Sequence, residues 1–63
     1  MRTINKGKLT VQQANNFKNG IERQAIMDGN RIEIMQLMDD RYLYVSDSNN
    51  NVIIQYEFEL AEG

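Results

Sequence analysis

The stretch Thr10–Gly29, TVQQANNFKNGIERQAIMDG, decides how the rest of the chain must be arranged. Thr10 followed by Gln13 is a capping box, in which the hydroxyl and the amide side chain satisfy the free N–H groups of a helix start. Leu9, just before the cap, is placed to staple onto Ala14. Val11, Ala14, Phe17, Ile21 and Ala25 recur every three or four residues. At 100° per residue they fall within about 120° of one another, a single apolar stripe. Gly29 stands where a helix C-cap belongs. Asn19-Gly20 interrupts the pattern, and Asp28-Gly29 is also a strong hairpin signal. A rival reading therefore stops the helix at Asn19 and pairs 21–27 with 31–38 as strands. Residues 21–27 do not alternate, and Glu22, Arg23, Gln24, Ala25 and Met27 are good helix formers. We read 10–28 as one helix.

The second half of the chain is strand-like. Residues 31–38 (RIEIMQLM) alternate at Ile32 and Ile34 against Arg31 and Glu33. Asp39-Asp40 makes a tight turn. Residues 41–46 (RYLYVS) are rich in β-formers. A polar loop at 47–51 precedes 52–60 (VIIQYEFEL), where Val52, Ile54, Tyr56, Phe58 and Leu60 share one face. Short connections make these three strands an antiparallel meander. Residues 1–9, with Gly7 as a turn signal, read as an arm or short strand. The expected fold is a single α+β domain over 1–63. An N-terminal helix packs on a three-stranded antiparallel β-meander, and the tail from Ala61 to Gly63 is frayed. The alternative is a small, mostly β barrel with a short helix.

Composition narrows the function. The 63 residues include no Cys, His, Pro or Trp. Disulfides, thiolate nucleophiles and Cys/His zinc sites are excluded, as are Ser–His and Cys–His catalytic pairs. The glycines stand singly, so no phosphate-binding loop is present. No enzymatic activity, cofactor or metal is expected. Asp47-Ser48-Asn49-Asn50-Asn51 resembles the start of a calcium loop, but Val52 and Phe58 stand where that loop needs Gly and Glu. No apolar run approaches the ~20 residues of a membrane span, and no leader is seen. A soluble, cytoplasmic protein is expected. In composition, with its eight Asn, the chain resembles small accessory proteins of bacteria and their phages. No motif accompanies that likeness.

Charge is uneven along the chain. Residues 1–31 carry six basic and two acidic groups, and residues 32–63 one basic and seven acidic, which sums to the net −2. This pattern admits three functional readings. In the leading one the protein is a non-enzymatic interaction module. The sheet face turned away from the helix carries Met35, Leu37 and Ile53, with either Tyr42 and Tyr44, the pair we favour, or Leu43 and Val45, rimmed by Glu33, Arg41, Glu57 and Glu59, an apolar centre with a charged border. The alternative is that residues 1–9 cover this face. A chain this small buries only about 60% of its unfolded surface, so a protein partner or a second copy is expected. In the second reading Glu33, Asp39, Asp40, Asp47, Glu57, Glu59 and Glu62 form an acidic decoy for a basic partner. In the third, Arg2, Lys6, Lys8, Lys18 and Arg23 contact nucleic acid. That reading is the weakest, because the cations are sparse and the isoelectric point is about 4.9.

Overall fold

The computed structural model describes residues 1–61. Glu62 and Gly63, expected in the tail and, for Glu62, on the acidic surface, lie outside the described residues. Five elements run in order along the chain: β1 (Arg2–Leu9), α1 (Val11–Met27), β2 (Arg31–Leu37), β3 (Asp40–Ser46) and β4 (Val52–Leu60).

Helix α1 starts on the reciprocal bonds its sequence encodes. The Gln13 N–H donates to Thr10 Oγ1 (3.1 Å), and the Thr10 N–H donates to Gln13 Oε1 (2.9 Å). It continues without a break through Asn19-Gly20. It ends in a Schellman motif: Gly29 takes a positive φ of 74°, its N–H donates to the Ile26 carbonyl, and the Asn30 N–H reaches back to the Ala25 carbonyl at 2.7 Å. A two-residue turn at Met38-Asp39, one residue before the expected Asp39-Asp40, then joins β2 to β3, with Leu37 opposite Asp40. Met38 sits at φ 57°, and Arg41 Nη1 donates to its carbonyl at 3.0 Å.

The sheet has four strands in the order β1-β4-β3-β2 and is mixed and open. The α+β class holds, but the three-stranded antiparallel description does not. β2, β3 and β4 form the meander, and β1 adds a fourth strand parallel to β4, with Ile4 opposite Tyr56 and Leu9 opposite Leu60. Parallel pairing needs a long crossover, here everything from the helix to β3, so no local pattern announces it. Gly7 does not end the strand. It sits at φ 72° within a bulge between Asn5 and Lys8, and its N–H donates to Asn5 Oδ1 at 2.7 Å. The sheet is not closed, so the barrel alternative also falls.

One face of the sheet packs on α1. Leu43 is fully buried, and Val45, Phe58, Ala14 and Ala25 are buried with it. Ile21, Ile32, Ile54 and Tyr56 pack around this cluster. Phe17 meets Tyr56 and Phe58 edge to face, with ring centroids 5.1 and 6.1 Å apart. Val11, expected in the buried stripe, is 60% exposed. It is the first helical residue and lies at the stripe's margin.

Candidate functional site

The strand registers give the outer face residue by residue. Side chains alternate across a pleated strand, and Leu43 and Val45 face the helix, so Asp40, Tyr42, Tyr44 and Ser46 face away. Pairing carries this across the sheet in rows. Leu37, Asp40, Glu59 and Lys8 form one row. Met35, Tyr42, Glu57 and Asn5 form the next, then Glu33, Tyr44, Gln55 and Thr3. Arg31, Ser46 and Val52 form the last.

The structure therefore brings Met35, Leu37, Tyr42, Tyr44, Glu57 and Glu59 onto one surface. Met35 is 51% and Leu37 60% exposed. The Tyr42 and Tyr44 rings stack, 6.4 Å between centroids with planes 16° apart. Strand β1 lies beside β4 within the sheet, so it does not cover this face.

Two expected members are absent from it. Ile53 falls in a bulge, because Ser46 pairs with Val52 and Val45 with Ile54, leaving Ile53 unpaired. An extra residue resets the two-residue alternation. Ile53 instead lines a cavity of about 110 Å³ with Ile21, Ala25, Val45 and Tyr56 on the helix side. Arg41 pairs with Phe58 and lines a helix-side groove with Ala14 and Leu43, so it is not part of the outer rim. The bulge puts Val52 on the outer face, a position that strict alternation along 52–60 assigns to the core.

The distribution also differs from an apolar centre with a charged border. The apolar groups occupy the β2–β3 half, next to the free edge of β2. The polar groups Glu57, Glu59, Gln55, Asn5 and Thr3 occupy the β4–β1 half. Tyr42 stands at the junction, opposite Glu57 in a pair that makes no ladder hydrogen bonds, where side chains approach closely. Desolvation, and then the charges of Asp40 and Glu57, push its phenol above the ordinary tyrosine value.

The alternative surfaces divide differently. Of the acidic set, Glu33, Asp40, Glu57 and Glu59 share the outer face. Asp39 is in the β2–β3 turn and lines a groove with Lys8 and Glu59. Asp47 lies at the other end of β3, where its carboxylate accepts from the Asn49 and Asn51 N–H groups and closes the loop. Asn50 takes a φ of 66° there. The loop is a hairpin connection built on Asp47. The basic set does not converge. Arg2 and Lys8 lie at opposite ends of β1. Lys6 Nζ sits 5.3 Å from the Phe17 ring centre. Lys18 lines the groove on the β2 side of the helix, and Arg23 lies about 140° around the helix from it.

Among the described residues no group of three or more His, Cys, Asp or Glu side chains is placed to hold a metal ion. No described helix is long and apolar enough to cross a membrane. Comparison with family models, curated proteins and solved structures found no match.

Proposed function

We propose that this chain is a non-enzymatic interaction module that presents the outer face of its sheet to another protein. One observation carries the reading: Met35 and Leu37 stand more than half exposed beside a stacked tyrosine pair, on a face that none of the described elements covers. Clustered exposed apolar side chains on a small domain mark contact surfaces, and Tyr and Met are enriched in them. The partner that fits has an apolar strip flanked by basic groups. The strip would lie on Met35, Leu37, Tyr42 and Tyr44. Lys or Arg side chains would face Asp40, Glu57 and Glu59, which steer approach more than they add affinity.

Selection of a displayed random-peptide library on the immobilised protein tests this. Recovered binders should combine apolar and basic residues, lose binding to Met35→Asp and Tyr42→Ala, and retain it for Arg23→Ala on the helix. Binders indifferent to both sheet variants but sensitive to helix variants would place the interface elsewhere. The acidic-decoy reading draws on the same three carboxylates together with Glu33. It predicts binding that survives Met35→Asp but collapses between 50 and 500 mM salt, as screening shortens the reach of exposed charges.

A further inference from the structure

The two edges of the sheet are built differently. β1 carries the devices that keep a sheet edge from pairing: a bulge at Lys6-Gly7 and the cations Arg2, Lys6 and Lys8. β2, at the other edge, carries no bulge and a single cation, Arg31, at its first residue. Its pairing with β3 is unbroken from Arg31 to Leu37, it contains no Lys or Pro, and its charges cancel within the strand. Ile34 on its helix side is 47% exposed, and Met35 and Leu37 on its outer side are more so.

The free backbone groups can be named. A two-residue turn closes on a hydrogen-bonded pair, here Leu37 with Asp40, so Arg31, Glu33, Met35 and Leu37 point their N–H and C=O groups at β3. Those of Ile32, Ile34 and Gln36 point outward, an unpaired ladder.

We propose that β2 pairs antiparallel with β2 of a second copy about a two-fold axis at Ile34, joining two sheets into one of eight strands. This rests on the edge backbone and not on the outer-face reading. The register is set by three constraints. An axis at Ile34 sets Ile34 against Ile34 and Ile32 against Gln36, using every outward donor and acceptor over the full strand. An axis at Glu33 would instead oppose two carboxylates. With the axis at Ile34, Arg31 lies across from Leu37 of the second copy. Asp40 of that copy is one strand further, about 10 Å away in backbone spacing and within reach of a guanidinium laid over Leu37. Each copy thus brings its edge cation to the acidic turn of the other. Because the β1 edges are blocked, assembly closes at two copies and does not run on into a fibre.

The test is mass in solution by sedimentation and light scattering over a dilution series, with amide hydrogen exchange read in parallel. At high concentration the wild type should weigh twice the 7.4 kDa chain. Protection of the Ile32, Ile34 and Gln36 amides should rise with concentration. Ile34→Lys and Gln36→Pro should be monomeric with an unchanged circular dichroism spectrum. Both lie on the helix side of the strand, so the outer face stays intact. Arg31→Asp should weaken the dimer, and adding Asp40→Arg should restore it. A monomer at all concentrations would overturn the proposal, as would growth past two copies. So would a dimer that withstands both edge variants but is lost in Tyr42→Ala, because that dimer would use the outer face. If either edge variant unfolds, the concentration dependence of those three amides in the wild type decides alone.

Discussion

Gly20 is the tenth residue of a seventeen-residue helix, and replacing it with alanine should stabilise the protein. A methyl group built at Gly20 meets no atom within 4 Å, so the substitution neither clashes nor gains contacts. What remains is the difference in helix propensity. Glycine loses more backbone freedom on folding, and the difference from alanine in a helix interior is about 1 kcal/mol. At about 2.1 cal/mol/K of unfolding entropy per residue, 63 residues give roughly 0.13 kcal/mol/K. One kcal/mol then corresponds to a rise of about 8 °C in Tm. The assay is a reversible thermal melt by circular dichroism at one fixed protein concentration, since association also shifts Tm. The urea midpoint should rise with unchanged slope. A Tm that falls, or moves by less than about 2 °C, would refute the reasoning. The backbone would then not be an uninterrupted helix at Gly20, as in the rival reading that ends it at Asn19, or something would occupy the space beside it.

Leu43→Ala removes the one large side chain with no exposure among the described residues. It should cost about 3–5 kcal/mol, against a total of roughly 3–9 for a chain of this length. The urea midpoint should fall by the corresponding amount, and a loss below about 1 kcal/mol would show that the core is not centred there. Met38→Gly should stabilise by about 0.5–1 kcal/mol. It relieves a non-glycine residue held at positive φ and forfeits almost no burial, since Met38 is 85% exposed. An unchanged urea midpoint would count against strain in that turn. Tyr42 should ionise above the ordinary tyrosine value of 10.0 in a spectrophotometric titration resolved against Tyr42→Phe. Because folding favours the neutral phenol, its contribution is fully present below the unfolded pKa and is lost as pH rises through the folded one. Asp40→Asn with Glu57→Gln should lower the folded value only in part, because desolvation is the larger cause.

Local chemistry made much of the fold legible. The capping box, the stripe from Ala14 to Ala25 and the C-terminal glycine each act within one or two turns of chain. A tight turn after β2 is legible too, but not its place: Met38-Asp39 forms it in place of Asp39-Asp40, so that Leu37 and Asp40 make the closing pair. On the outer face, unbroken two-residue alternation made Met35 with Leu37, and Tyr42 with Tyr44, readable as sets, while the burial of Leu43 and Val45 decided that the tyrosines turn outward. Ile53 was not readable. A bulge depends on how β4 meets β3, and one extra residue reverses every assignment before it in the strand. Arg41 was misread for a related reason: its face is fixed by pairing with Phe58, not by its polarity.

The place of residues 1–9 belongs to the tertiary structure alone. Ile4 and Leu9 are too few to declare a strand by pattern, and their partners Tyr56 and Leu60 lie some fifty residues away. Closing a loop of that length costs entropy before the pairing repays it, so no local signal marks it. Once β1 is seated beside β4, the sheet has one guarded edge and one open edge, and its outer face is left bare. The sequence by itself determined which side chains form the helix, the hairpin and the apolar pairs. Long-range pairing decided which edge and which face those side chains leave free.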